Sequence, residues 1–408
     1  MGKGKLMNSS ALKKWSIPIC NFMKWLSWGA EMVEAIFWIS AFSILYAYFG
    51  YPAFLYFLSF FKGRPVLKER IQPYISVIIA ACNEERRIRD KIENTLSLDY
   101  PTDKKEIIVA SDGSTDRTNE IASEYKERGV ILVAPVKRRG KEAVQWEAIQ
   151  VARGEILIFS DVATTLAKDG LLQIVSNFYD PTVGCVSSED EVLADVETSG
   201  GEGSYVQYEM FLRRLESQVN SLVGLSGSFF AVRRELCNEW STTLPSDFTM
   251  VISSVKQGYR GVSDPLTIGF YRTVRSDKDE FQRKVRTVLR GMNALMSHPE
   301  VLNPFRYGFF SIQIFSHKLF RWLVPIFMVI AFASNLALIE KSFVYKLFLL
   351  SQLIFYMLAS LGLISEKLRR NSFFKMPAFL TLANFSIAVA WIRYLRGQRA
   401  ILWTPSKR

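Results

Sequence analysis

The sequence predicts an α/β domain with a mainly parallel sheet, flanked by transmembrane helices. Between Ile75 and Asp264, short β-branched runs alternate with helical periodicities, the pattern of strands joined by crossover helices. Long apolar stretches lie on both sides of that region, at 35–61 and beyond Leu319, each able to supply the run of about 20 residues that crosses a bilayer. Charges concentrate between Lys62 and His298, in a 408-residue chain that is 49% hydrophobic and 13% aromatic with a formal net charge of +12.

Residues 1–30 are basic and carry Trp15, Trp25 and Trp28. A cleaved signal peptide fits poorly, because the apolar stretch starts only after Glu34 and has no small-residue cleavage site before the next domain. A transmembrane helix is expected at 31–62 despite Gly50-Tyr51-Pro52, and Lys62-Gly63-Arg64-Pro65 at its end argues for a cytoplasmic exit. The central domain is expected at 71–298. Its strands are Ile75–Ala81, Glu106–Ser111, Val130–Ala134 and Glu155–Ser160; its helices are Arg86–Leu98, Asp116–Arg128 and Lys141–Ala152. An interfacial helix at 299–321 follows, mixing aromatics with His317, Lys318 and Arg321. A C-terminal transmembrane region at 322–395 contains spans at Leu323–Ile339 and Phe343–Ile364 and a shorter one at Met376–Ile392, before a basic tail at 396–408. One span before the domain and three after it place both basic termini outside, against the charge rule. Either the last stretch is re-entrant or the terminal cations rest on the membrane surface.

Cys20, Cys82, Cys185 and Cys237 are far apart, form no CxxC pair, and have only His298 and His317 for company. A zinc site or disulfide framework is not expected; isolated buried thiols in a reducing compartment are. There is no GxGxxG after the first strand and no GxxxxGK[ST], which disfavours a dinucleotide oxidoreductase and a P-loop NTPase. No nucleic acid is expected as a partner.

The chemistry-bearing residues collect at the carboxyl ends of strands, where open α/β sheets bind ligands. Cys82-Asn83-Glu84 follows the first strand, Asp112-Gly113-Ser114-Thr115-Asp116 the second, and Asp161 ends the run Ile156-Leu157-Ile158-Phe159-Ser160. Asp112 can accept hydrogen bonds from a base or ribose, Gly113 permits a tight turn, and Asp116 reads as a helix cap. Asp161 is either a helix cap or a hard oxygen ligand for Mg²⁺ or Mn²⁺. Arg138-Arg139-Gly140-Lys141 opens a helix, as a diphosphate site or as a solvated basic loop.

The order CNEE, ASDGSTD, RRGK, FSDVAT, SGSFFAVRR, PSDF and RKVRT resembles the membrane-bound family 2 glycosyltransferases, including synthases of poly-N-acetylglucosamine, hyaluronan and cellulose type. The resemblance runs from about Ile71 to Arg290. It implies a nucleotide-sugar-binding, GT-A type Rossmann-like domain and an inverting displacement at the anomeric carbon of a nucleotide sugar, with a UDP-sugar as the expected donor. By the resemblance, Asn83 and Glu84 line the nucleoside pocket, Asp112 binds the base and Lys141 approaches the diphosphate. Asp161 matches the first carboxylate of a DxD metal motif whose third position is here Ala163; Asp190 is a possible substitute. Asp247, in Pro245-Ser246-Asp247-Phe248, matches a general base, the alternative being an N-cap for the helix through Gln257. Arg283 and Arg286 stand where processive members carry QxxRW, with Arg283 for Gln and Thr287 for Trp, and suit the leaving diphosphate. A solvated helix face, extended by Arg290, is the alternative. The implied cofactor is Mg²⁺ or Mn²⁺. The implied partners are a nucleotide-sugar donor, a glycan or lipid-linked acceptor, membrane lipids and unidentified membrane subunits. The implied place is the plasma or inner membrane, with the catalytic domain cytoplasmic. A polyprenyl-phosphate sugar transferase and a non-catalytic membrane scaffold of the same fold remain as rivals.

Overall fold

The computed structural model describes Gly29 and residues 31–192, 202–271 and 277–400. Most of the basic N-terminal segment, with Cys20, and the end of the basic tail from 401 lie outside the described residues. Eight strands among those described form one sheet in the order β3-β2-β1-β4-β7-β6-β8-β5. In one half, β1 (Ile75–Ala81) sits between β2 (Lys105–Ser111) and β4 (Ile156–Asp161), and β3 (Val130–Val133) lies outside β2, all parallel. These are the four strands expected from the apolar runs. β1 is buried along its whole length because helices cover both faces, and its pleat sends Val77 and Ile79 into one core and Ile78 into the other.

The other half makes the sheet mixed. β7 (Phe229–Arg233) runs antiparallel to β4 and to β6 (Val183–Val192). β8 (Arg260–Tyr271) is parallel to β6, and the short β5 (Thr164–Leu166) is antiparallel to β8. The pairing of β6 with β8 shifts register between Ser187 and Glu189, opposite the stretch of β8 that contains Pro265, as a residue without an N–H requires.

The first long helix, α1 (Glu31–Lys62), precedes the sheet. Within the domain come α2 (Ile88–Leu96), α3 (Thr118–Ser123), α4 (Lys141–Val151), α5 (Gly170–Ser176), α6 (Glu202–Val219), α7 (Ser246–Lys256) and α8 (Asp277–Ser297). Three further long helices follow: α9 (Phe309–Leu338), α10 (Phe343–Ile364) and α11 (Ser372–Leu395). Among the described residues, α1, α9, α10 and α11 are long and apolar enough to cross a membrane. They expose Phe57, Val329 and Phe343, a surface that suits lipid better than water.

The segment read as an interfacial helix divides at Gly308. Pro304–Tyr307 is a short helix, and from Phe309 the chain is already in α9. His317 and Arg321 are tolerated in that apolar helix because α6 meets them with carboxylates. His317 hydrogen-bonds Glu216 at 2.7 Å and Glu209 at 3.2 Å, Arg321 pairs with Glu209, and Tyr51 of α1 donates to Glu216 at 2.8 Å. One hydrophobic core also runs from the sheet into the long helices: Phe159 and Phe230 share it with Val285, Leu289 and Met292 of α8, Trp322 of α9 and Ile387 of α11. The sheet and the apolar helices thus share one hydrophobic core.

Candidate active site

The carboxyl edge of the parallel half gathers most of the expected residues. Register aligns Ala80 of β1 with Asp161, and Ala81 with Ser111, so the segments after β1, β2 and β4 leave the sheet side by side. Asn83 has φ 55°, and its Oδ1 accepts from the Thr115 N–H at 2.8 Å, tying the first loop to the second. Glu84 is engaged within its own loop. It is buried in a two-pronged ion pair with Arg87, and burial, outweighing that arginine, holds its carboxyl above the usual range. Asp116 accepts from the Thr118 N–H at 3.0 Å and the Glu85 N–H at 3.0 Å, a structural role that tethers the starts of α2 and α3.

Asp112 is fully buried and grips the third loop, accepting from the Arg139 N–H at 2.7 Å and the Gly140 N–H at 3.0 Å. Its carboxylate thus shapes the basic loop from beneath. Gly113 is required beside it: φ is +57°, and a Cβ there would sit 2.7 Å from the Arg138 nitrogen. Lys141 is the first residue of α4, and its ammonium donates to Asp161 Oδ1 at 2.5 Å and to the Gly227 carbonyl at 3.0 Å. Asp161 is followed by β5, not by a helix, which removes the helix-cap reading.

The tripeptide Ser226-Gly227-Ser228 joins the two halves of the site. The Ser228 carbonyl accepts from the Asp161 N–H at 3.0 Å. The Ser226 and Ser228 hydroxyls bond Asp190 at 2.8 and 2.7 Å, so Asp190 braces this tripeptide. On its other side lies Asp247, whose Oδ2 is 3.0 Å from where a Cβ on Gly227 would stand; only glycine leaves that approach open. Asp247 is in the first turn of α7, whose N-cap is Pro245 with no side-chain cap bond. Among the described residues no hydrogen bond or ion pair engages the Asp247 carboxylate, which is partly exposed. The N-cap alternative therefore fails on geometry.

α8 brings Arg283, Arg286 and Arg290 to one face by their helical spacing. Arg290 reaches Glu142, the neighbour of Lys141, at 2.5 Å. Burial, with Arg290 and Arg283 close by, holds the Arg286 guanidinium below its ordinary range, the mark of a crowded cationic face suited to an anion.

Two participants escaped sequence reasoning. Lys91 lies in an α2 whose polar pattern reads as solvated, yet it is buried and donates to Ser160 Oγ at 2.8 Å and the Thr164 carbonyl at 2.6 Å. Burial pushes its pKa down to about 7, against the pull of nearby Asp161. Glu142 could have been found as the acidic residue adjoining Lys141. Cys82, Cys185 and Cys237 are buried free thiols, and burial pushes Cys185 up to about 12.

The donor set for a cation is small. Asp161 offers one hard carboxylate, Ala163 none, and the described residues contain no group of three His, Cys, Asp or Glu able to hold a metal ion. Such a set fits an ion that keeps most of its shell from water and diphosphate, as Mg²⁺ does.

A parallel sheet with ligand groups at its carboxyl edge, continued by antiparallel strands and by a helix, α7, that carries a lone carboxylate, defines the GT-A type of glycosyltransferase fold. Residues 76–240 match the family described as Glycosyl transferase family 2. Among curated relatives, it is 26% identical over 184 residues to a Beta-monoglucosyldiacylglycerol synthase of Nostoc sp., covering 43% of this chain and 39% of that protein. It is 25% identical over 234 residues to the Poly-beta-1,6-N-acetyl-D-glucosamine synthase of Staphylococcus aureus, covering 54% of this chain and 55% of that one. The chain thus spans roughly two fifths to just over half the length of these relatives. Among solved structures, the mannosyltransferase PcManGT of Pyrobaculum calidifontis, in complex with GDP-Man and Mn²⁺, superposes with a TM-score of 0.68 at 22% identity, covering 90% of this chain and 100% of that one. That likeness establishes the fold.

Proposed function

We propose that the protein is a membrane-bound, inverting glycosyltransferase. It moves a sugar from a nucleotide-sugar donor, expected to be a UDP-sugar, to a hydroxyl of a glycan or lipid-linked acceptor in cell-surface or extracellular glycan synthesis. The observation that carries this reading is the Asp247 carboxylate, without a hydrogen bond or ion pair among the described residues, set across Gly227 from the Lys141–Asp161 pair. Donor-binding and proton-accepting groups then face one small space.

In this reading Asn83 and Asp112, through the loops they fix, form the nucleoside end of the cleft, with Glu84 holding its floor through Arg87. Asp161 would hold Mg²⁺ or Mn²⁺ against the diphosphate, and that cation supplies charge neutralisation when bound. Asp247 takes the proton of the acceptor hydroxyl as its oxygen attacks the anomeric carbon. The bond from that carbon to the diphosphate breaks with its electron pair on the leaving group, where Lys141, Arg283 and Arg286 oppose the new charge. The catalytic domain, 71–298, lies on the cytoplasmic side, where Lys62-Gly63-Arg64 and the basic segment Lys367-Leu368-Arg369-Arg370 mark the inner face.

The test is nucleotide release from a panel of nucleotide sugars by the purified full chain, followed by product mass. Release with one donor and a sugar-bearing product is expected. No release with any donor would assign the fold to a scaffold, and a product carrying the sugar on a lipid phosphate would replace the hydroxyl acceptor.

A further inference from the structure

The apolar helices border a half-open cavity of about 440 Å³, within the roughly 300–1,000 Å³ typical of small-molecule sites. All four candidate spans contribute to its wall, among them Leu45 of α1, Ala331 of α9, Phe355 of α10 and Phe379 of α11, and Tyr205 and Tyr208 of α6 line it from the catalytic domain. A space bounded by all four helices differs from a groove on the lipid-facing perimeter.

Its lining is aromatic and aliphatic, and its polar groups are largely occupied. Tyr208 donates to the Tyr48 carbonyl at 2.9 Å, Tyr48 Oη accepts from Asn384 at 2.9 Å, and Ser351 donates to the Leu347 carbonyl at 2.9 Å. The Asn384 carbonyl oxygen is left without a partner. A sugar chain passing here would exchange water for a wall that returns few hydrogen bonds, at a cost of about 1–3 kcal/mol for each group left unpaired. A hydrocarbon chain would lose nothing.

A line of side-chain contacts joins the cavity wall to the helix that carries the base. Tyr208 lies 5.6 Å from the Arg321 guanidinium. Arg321 follows Lys318 by three residues on the same helical run, and the Lys318 ammonium lies 6.0 Å from the ring of Phe248, the neighbour of Asp247. A second path runs along α8: Lys284 lies 4.1 Å from the Phe379 ring on the cavity wall, and Arg290 pairs with Glu142 beside Lys141.

We infer that this cavity holds the hydrocarbon chain of a neutral, hydroxyl-headed lipid acceptor, and that the head is presented to Asp247. The inference rests on the glycosyltransferase reading above and narrows its acceptor. A phosphate monoester is largely ionised at neutral pH, with a second pKa of about 6, and attacks without a base; a carboxylate kept free beside the site is needed by a hydroxyl. In the step, the hydroxyl proton passes to Asp247 and the oxygen lone pair forms the bond to the anomeric carbon. The carbon–diphosphate bond breaks with its electrons on the nucleotide diphosphate.

The experiment uses the full chain in nanodiscs with a diacylglycerol carrying a diazirine in its acyl chain. Photolabelling is expected at the cavity wall, at Leu45 and Phe355, in preference to the outward-facing Phe57, Val329 and Phe343. The cavity-filling Ala331→Phe should raise the KM for diacylglycerol by about tenfold or more, leaving donor hydrolysis and donor KM unchanged. Should Ala331→Phe fail to fold, Ser351→Trp and the wild-type labelling pattern decide the same point. Uniform labelling of inner and outer residues overturns the cavity. Transfer to an isoprenoid phosphate or a soluble oligosaccharide in preference to diacylglycerol overturns the acceptor. Absence of donor hydrolysis in the wild type overturns the underlying enzyme reading, which labelling does not depend on.

Discussion

The two halves of the sheet share one fold and are built on different rules. In the parallel half, the segments after β1, β2, β3 and β4 are locked to one another: Asn83 to Thr115, Asp112 to Arg139 and Gly140, Lys141 to Asp161. In the antiparallel half, the base candidate Asp247 is held through its backbone, in α7 and by a carbonyl that accepts from the Leu225 N–H at 2.9 Å, and among the described residues no hydrogen bond or ion pair engages its carboxylate. The contrast is chemically sensible. A donor diphosphate needs a rigid, pre-organised cradle, whereas a base needs an unspent lone pair. The second half is also where the apolar helices join the domain, through α8 and through Lys318 beside Phe248. We assign the donor to the first half and the acceptor to the second.

The largest effect expected from breaking this division is at Asp161. Asp161→Asn should abolish transfer and weaken donor binding in Mg²⁺ or Mn²⁺, read by initial rate and donor titration. Full activity in that variant, or undiminished turnover in EDTA, would remove the cation from the donor half. Ala163→Asp, which restores a second carboxylate, should tighten cation affinity.

Next is the strut behind the sheet. Arg260 and Asp180 are a buried pair at 2.9 Å, and Arg260 also donates to the Arg64 carbonyl at 2.9 Å, beyond the end of α1. Arg260→Ala strands a buried carboxylate and should cost about 3–5 kcal/mol of stability in denaturant melts. A loss below about 1 kcal/mol would show that water reaches the pair.

A smaller effect concerns Lys91. Its folded pKa, about 7, lies below the ordinary 10.5, so between those values the unfolded chain binds a proton that the native one does not. Lys91 therefore lowers stability most below about 7, and its contribution improves as pH rises towards 10.5. The melting temperature of the wild type should gain on that of Lys91→Met across this window. A constant difference would mean that Lys91 stays charged.

The smallest effect is a silent one. Ser123 is exposed at the end of α3, so Ser123→Cys should leave activity intact and resist an impermeant thiol reagent in intact cells. Labelling there would reverse the cytoplasmic orientation.

Legibility in the sequence follows the same division. β1, β2, β3 and β4 were readable to within a residue at each end: β1, β2 and β4 are buried almost throughout and so carry apolar runs, and the partly buried edge strand β3 is itself the apolar run Val130-Ile131-Leu132-Val133. β6 carries Ser187-Ser188-Glu189-Asp190-Glu191 and β8 is interrupted by Pro265, so neither shows an apolar run or a clean alternation, and these two strands were missed. The site behaved alike. Asp161 and Lys141 stood in recognisable order, but the conversion of Asp112 into a buried clamp and of Glu84 into the partner of Arg87 depends on tertiary packing. Lys91 was invisible because a lysine in a polar helix gives no sign of being buried. The division at Gly308 of the helix expected over 299–321 was equally unreadable, since the partners of His317 and Arg321 within α9 are Glu209 and Glu216, about a hundred residues earlier.

The most direct test of the division is Asp247→Asn, with donor affinity, melting temperature and initial rate measured on one preparation. Asparagine keeps the shape and removes the basicity. The account predicts donor affinity and melting temperature near those of the wild type, with turnover lower by about 10²-fold or more. A wild-type rate in the folded variant, or a loss confined to donor affinity, would contradict it.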